Sequence, residues 1–251
     1  MTLTEFFSAH PKAALAFSGG VDSAYLLYAG LQAGADIRPY YVKTQFQPQF
    51  EYEDAMRLCR ELGAEPRVLR LDALCSPDVV RNGADRCYHC KINIMSTILA
   101  AAAEDGYSVL LDGTNASDDA GDRPGMRALR ELEILSPLRL CGLTKPEIRR
   151  LSREAGLFTW DKPAYACLAT RVKTGEPITN ERLAAIEASE DYLFSKGFTD
   201  FRVRTAGNGA LLQFPAEQLE RAKREQAEIS DRLGAFFETV SIDQEGRKTG
   251  L

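Results

Sequence analysis

Residues 13–17 (AALAF) form a short apolar run that ends in Ser18-Gly19-Gly20-Val21-Asp22-Ser23, and an amphipathic stretch follows through Leu31. That order reads as strand, glycine turn, helix. At such a junction the free N–H groups of the first helical turn and the helix dipole converge on an anion. Gly19 and Gly20 let a phosphate approach the backbone closely. The lysine of a GxxxxGK[ST] loop is absent, which excludes the usual kinase or GTPase cradle. The plain alternative is a glycine turn capped by Ser and Asp, but its place directly after a strand favours the phosphate reading.

A second group of residues carries soft-ligand chemistry. Six cysteines stand at 59, 75, 87, 90, 141 and 167, too sparse for a disulfide framework. Cys87-x-x-Cys90 opens a predicted helix, and Cys167 lies in an irregular loop expected at the same carboxyl end of a sheet. Three thiolates make an incomplete tetrahedral site, so zinc, a redox pair and an iron–sulfur cluster are all open. His89 sits between the two cysteines, a geometry that rarely lets it share their metal. Cys59, Cys75 and Cys141 read as buried small hydrophobes. Asp118, Asp119 and Asp122 follow Gly113-Thr114-Asn115 and offer hard oxygen ligands for Mg²⁺, with turn capping as the alternative; Asp22, inside the loop, is the stronger Mg²⁺ candidate. Arg202 and Arg204 alternate on one predicted strand and could clamp a phosphate from a shared face. Arg149, Arg150 and Arg153, interleaved with Glu147 and Glu154, read as a solvated helix face.

These groups need a scaffold, and hydrophobic periodicity supplies one. Strands are predicted at 13–17, 37–42, 67–71 and 108–111, with helices at 21–31, 51–62, 92–103 and 144–155; Thr144 and Glu147 fit a capping box. This alternation implies an α/β fold, a parallel sheet with helices on both faces and ligands at the carboxyl ends of its strands. Residues 160–177 lose periodicity and read as a functional loop and domain boundary. Beyond it a helix (181–194), a strand pair (201–204 and 210–214) around Gly207-Asn208-Gly209, a helix (216–233) and a strand near Phe237 make a small α/β domain. The expected division is 1–176 and 177–251.

SGGxDS in this position resembles the pyrophosphate loop of the ATP-pyrophosphatases, the PP-loop superfamily, which includes GMP synthetase, NAD synthetase and tRNA thiolases. Asp85-Arg86-Cys87-Tyr88-His89-Cys90-Lys91, Gly113-Thr114-Asn115 with Asp118-Asp119, Arg123-Pro124-Gly125, Gly142-Leu143-Thr144-Lys145 and Cys167-Leu168-Ala169-Thr170-Arg171 look like the LarE-type sulfur transferases. The resemblance covers most of residues 13–215. It implies an adenine nucleotide alpha hydrolase-like fold that binds ATP through residues 18–23, Val42, Gly113 and Thr114. It also implies adenylation with release of pyrophosphate, with Lys145 and Arg171 supplying positive charge. The implied substrate carries the carboxylates of pyridinium-3,5-biscarboxylic acid mononucleotide, whose oxygen is replaced by sulfur on the way to a nickel-pincer nucleotide. Cys87, Cys90 and Cys167 would hold a [4Fe-4S] cluster with an open iron. Other members keep only the equivalent of Cys167 and sacrifice its sulfur. Arg202 and Arg204 would hold the substrate's phosphate. Where relatives often carry an acidic residue on the neighbouring strand, this chain has Gln213.

Composition bounds these expectations. With 251 residues, 45% hydrophobic and 27% charged, the chain has ordinary globular usage, not that of collagen, a coiled coil or a disordered chain. The balance of 31 basic against 36 acidic residues, net −5, gives no global field for nucleic acid or anionic membrane. No run reaches the roughly 18 apolar residues of a membrane helix, and the N-terminus has no basic region before an apolar core, so the chain reads as cytoplasmic. The leading expectation is an ATP-dependent sulfur transferase acting on a small nucleotide, as a homo-oligomer by likeness to relatives. A tRNA thiolase or amidating ligase of the same superfamily and a non-catalytic nucleotide or iron–sulfur carrier are the alternatives.

Overall fold

Residues 12–16 form the first of four parallel strands, because the alternating side chains of Ala13, Ala14 and Leu15 meet helices on both sides. In chain order the elements are α1 (Leu3–Ala9), β1 (Lys12–Ala16), α2 (Val21–Gln32), β2 (Asp36–Lys43), α3 (Gln49–Leu62), β3 (Arg67–Arg70), α4 (Pro77–Val80), α5 (Arg86–Glu104) and β4 (Leu110–Leu111). They continue with α6 (Pro124–Glu131), α7 (Pro137–Leu140), α8 (Lys145–Glu154), α9 (Asn180–Ser195), β5 (Arg202–Ala206), β6 (Gly209–Gln213), α10 (Ala216–Arg224), α11 (Gln226–Leu233) and β7 (Thr239–Ile242). The computed structural model describes residues 1–118 and 124–247; Asp119, Asp122 and Arg123 lie outside the described residues. The chain divides into two units, Met1–Ala73 with Asp85–Lys162, and Leu74–Ala84 with Pro163–Leu251.

The first unit holds a parallel sheet in the order β3-β2-β1-β4. Ala13 and Leu15 of β1 join one core with Phe6, Leu27, Leu58 and Ile148, whereas Ala14 joins the other with Met95, Ile98 and Leu129. Helices therefore cover both faces, as expected from the strand–helix alternation. The order reverses at β1, since β2 and β3 run out on one side and β4 on the other. Loops leaving the carboxyl ends of β1 and β4 thus open at a topological switch point, the usual ligand crevice of such sheets.

In the second unit β5 and β6 pair antiparallel around Gly207-Asn208, and β7 adds parallel to β6. Phe198, Phe201, Val203, Leu212 and Phe214 are buried under α9 and α10. The unit begins at Pro163 rather than at 177, and it also contains residues 74–84. Asn82, at φ +55°, explains this: its amide donates to the carbonyls of Lys173 (2.9 Å) and Glu176 (3.0 Å), while Ile178 N–H donates to Val80 O at 3.0 Å. The helix expected over 216–233 is broken at Glu225 (φ −91°, ψ 5°), and the last strand begins two residues beyond Phe237. No helix of the described residues is long and apolar enough to cross a membrane.

Candidate functional site

Gly19 takes φ +74°, and a Cβ there would lie 2.7 Å from Ala55 Cβ on α3, so the loop tolerates only glycine at this point. Gly20 caps α2 without a side-chain hydrogen bond. Ser23 folds back within the turn: its hydroxyl donates to Gly20 O at 3.2 Å and accepts from Ser18 N–H at 3.3 Å, and the two serine hydroxyls are 3.1 Å apart. A Cβ on Gly113 would come within 3.0 Å of Ser23 N, so the loop after β4 also packs directly on the first turn of α2. Thus residues 18–23, Gly113 and Thr114 meet at the switch point. Val42 is buried in β2 beside Leu69.

Asp22 sits in the first turn of α2. One of its carboxylate oxygens receives the ammonium of Lys145, and the other accepts Asn115 Nδ2 at 3.3 Å. Lys145 is the first residue of α8, whose backbone N–H donates to Ser117 Oγ at 2.9 Å; the expected capping box is present, with Thr144 N–H donating to Glu147 at 3.0 Å. Buried Asp112 organises the neighbouring loop by accepting from Thr114 N–H (3.2 Å) and Ser136 Oγ (2.6 Å). Asp118 Oδ2 accepts Asn115 N–H at 2.9 Å and so caps the turn, the bland role weighed for it. One carboxylate, that of Asp22, therefore stands in the phosphate loop. Mg²⁺ commonly uses one or two carboxylates plus substrate phosphates, and the loop fits that requirement.

Cys87 and Cys90 lie in the first turns of α5, i and i+3, with Cys87 exposed and Cys90 half-buried. His89 Nε2 is 3.0 Å from Asp85 Oδ2, so it is turned onto its own N-cap residue. Tyr88 donates to Glu131 at 2.5 Å beneath the Arg127 guanidinium, fastening this turn to α6. Among the described residues no three His, Cys, Asp or Glu side chains stand together as a metal site. Cys167, half-buried, belongs to the second unit. Of the remaining cysteines, Cys59 is buried and burial pushes its thiol up to about 12; Cys141 is half-buried, whereas Cys75, expected inside, is exposed.

Arg171 corrects an expectation. It is 1% exposed, with its guanidinium paired to Glu190 at 2.8 Å and donating to Ala166 O at 3.0 Å, so its charge is already committed within the second unit's core, at the wall of a cavity that Arg204 also lines. Glu190 also accepts Val203 N–H at 3.0 Å and the Tyr165 hydroxyl. Nothing in the helical pattern of residues 181–194 marks this carboxylate.

The paired clamp of Arg202 and Arg204 is also revised. Arg202 is buried against Ala164 O (2.8 Å) and Phe201 O (2.6 Å), and burial pushes its guanidinium down to about 10. Arg204 instead lines a cavity of about 480 Å³ with Thr170, Lys173, Thr205 and Ser241. Its Nε donates to Gln213 at 2.5 Å, and Gln213 in turn donates to Asp243 at 2.9 Å. The acidic group missing at 213 is thus supplied one strand further on. Buried Thr205 Oγ1 has no hydrogen-bond partner among the described residues.

A parallel α/β unit with an SGGxDS loop at the reversal of its strand order defines a PP-loop protein, of the superfamily of ATP-using thiolases and ligases. No family model matches the chain. An uncharacterized protein of Synechocystis is 34% identical over 99% of this chain and 94% of its own length. The pyridinium-3,5-bisthiocarboxylic acid mononucleotide synthase of Lactiplantibacillus plantarum is 30% identical over 95% of this chain and 88% of its own. A glutamine-hydrolysing GMP synthase of Aeropyrum pernix is 28% identical over 71% of this chain and 38% of its own. The chain belongs to the LarE family of pyridinium-3,5-bisthiocarboxylic acid mononucleotide synthases.

Proposed function

We propose that this protein adenylates a carboxylate of a pyridinium biscarboxylate mononucleotide with ATP and replaces its oxygen with sulfur. The observation that supports this best is the phosphate loop itself: glycine-tight against Ala55 and Gly113, and built without a Walker lysine. The first-turn N–H groups of α2 hold the β and γ phosphates, which leaves the α-phosphorus open to a carboxylate oxygen. That oxygen forms the new P–O bond as the bond to pyrophosphate breaks. Lys145 neutralises the growing charge on the leaving group, and Asp22 would hold the Mg²⁺ that shares it. Sulfur then adds to the acyl carbon, and AMP departs with the original carboxylate oxygen.

The thiols of Cys87, Cys90 and Cys167 would hold the [4Fe-4S] cluster, which supplies a transferable sulfide when loaded; all-thiolate donors suit iron–sulfur over magnesium. Arg204, with Lys173 and Thr205 around one cavity, would take the nucleotide phosphate of the acceptor.

Product chromatography tests the first half, with AMP and pyrophosphate expected and ADP contradicting it. For the second half, iron and sulfide analysis of anaerobically purified protein should find a cluster that any one of Cys87→Ala, Cys90→Ala and Cys167→Ala abolishes, with adenylation spared. Retention of one turnover by Cys87→Ala and Cys90→Ala, with residue 167 lighter by one H₂S, would mean that Cys167 is sacrificed instead. Full multiple-turnover transfer by Cys167→Ala would refute both routes.

A further inference from the structure

The sequence pattern puts Arg149 on a solvated helix face with Arg150 and Arg153, but the Arg149 guanidinium is turned onto main-chain carbonyls. It donates to Trp160 O at 2.6 Å and Lys162 O at 2.9 Å, whereas Arg150 makes the expected surface pair with Glu154. Lys162 is anchored in the opposite direction. Its ammonium is 3.1 Å from Glu51 and 2.7 Å from Asp54, both on α3, with its side chain only 14% exposed. Arg57 of α3 lies over the Phe158 ring at 4.2 Å, and Arg153 of α8 over Trp160 at 4.9 Å. Residues 158–162 are therefore held from two sides, by α3 and by α8.

Those two helices also brace the phosphate loop. Ala55, one residue after Asp54, is the group against which Gly19 packs. Lys145, one turn before Arg149, is the residue that binds Asp22. After Lys162 the chain passes into Pro163, whose ring fixes φ and removes a donor. Cys167 follows five residues after Lys162, within a maximal chain reach of about 18 Å. Any change in the loop on nucleotide binding has two short mechanical routes, through Ala55 and through Lys145, to residues 158–162, from which the chain runs directly on to Cys167.

We infer that Lys162 and Arg149 are positioning residues of a strap that makes the reactivity of the Cys167 thiol depend on whether nucleotide occupies the phosphate loop. This rests on the proposed function in taking residues 18–23 as the ATP site. A device of this kind would tie the state of the Cys167 thiol, as cluster ligand or as sacrificed sulfur, to the presence of nucleotide. Removing one anchor should leave the loop able to bind nucleotide, because neither side chain touches residues 18–23, but should break the dependence.

The test is alkylation of Cys167 by iodoacetamide on protein freed of iron by chelation, so that no cluster masks the thiol, followed by peptide mass spectrometry, with and without saturating α,β-methylene-ATP, whose α–β bridge cannot be cleaved. In the natural chain the nucleotide should change the labelling rate by at least about fivefold, the lower end of typical coupling between sites. In Lys162→Met the change should fall below about twofold, with nucleotide affinity by calorimetry kept within about threefold. Arg149→Gln, which cuts the other limb, should behave alike and serves if Lys162→Met does not fold. Nucleotide binding to the natural chain with no change in labelling would overturn this inference alone, as would persistence of the full change in a folded variant. Failure of the natural chain to bind the nucleotide at all would remove the ATP assignment and this inference with it.

Discussion

Asp22 is a structural hinge of the loop and the carboxylate to which the proposed chemistry assigns the metal. It ends the strand–turn–helix junction, faces the Lys145 ammonium, and accepts from Asn115 on the loop after β4. On the proposed function, Asp22→Asn keeps the shape but removes the charge that pairs with Lys145 and would hold a divalent cation, so pyrophosphate release should fall at least about tenfold, the usual order for a preorganised electrostatic group. Quantification of released pyrophosphate checks this, and an unchanged rate would exclude Asp22 from the reaction. In the second unit, Arg204→Ala should weaken acceptor binding and leave ATP binding intact, since Arg204 and the phosphate loop belong to different units. Calorimetry with each ligand separates the two. Equal loss of both affinities would mean that the strand has another role.

At the scale of elements, two polar groups hold secondary structure together. Arg171 and Glu190 fasten a short turn after Cys167 to α9 and, through Val203 N–H, to β5. Both side chains are nearly fully buried, 1% and 2% exposed. A buried pair need not beat a hydrophobic one, but removing one partner strands the other charge at a cost of about 3–5 kcal/mol. Glu190→Gln should therefore lower the urea midpoint of unfolding by that equivalent, and a change under about 1 kcal/mol would show that the pair is dispensable. Asp105, at the end of α5, ties the sheet to that helix by accepting from Tyr40 OH (2.7 Å) and pairing with Arg67 and Arg38. The Tyr40 hydrogen bond first, then Arg67, holds its carboxyl below the ordinary 3.8. A folded pKa lower than the unfolded one contributes stability above the unfolded value, and that stability is lost as pH falls through the folded value. Urea midpoints measured downward from about pH 5 should fall more steeply for the natural chain than for Asp105→Asn.

For the molecule as a whole, the strand order turns separate motifs into a site. The reversal at β1 brings the loops after β1 and β4 together, although about ninety residues of chain lie between Asp22 and Asn115. The division into units is likewise a property of pairing and not of position along the chain. Residues 74–84 belong with the second unit because Asn82 and Val80 exchange hydrogen bonds with residues 172–178.

The sequence by itself determined the local facts: three parallel strands within one or two residues, the helices between them, the phosphate loop, the capping box at Thr144, and the α/β class. These follow from periodicity and turn chemistry, which act over a few residues. It also carries the start signal of α1, since Thr2 and Glu5 form the capping box of that helix. Which charged residues are spent on holding the fold is settled by tertiary contacts alone. Arg171, Arg202 and Arg149 look in sequence like surface or site cations. In the fold they are committed to Glu190 and to main-chain carbonyls. The physical reason is that a guanidinium's role is set by the acceptors around it, and those acceptors come from segments tens of residues away, in an order that hydrophobic periodicity does not encode.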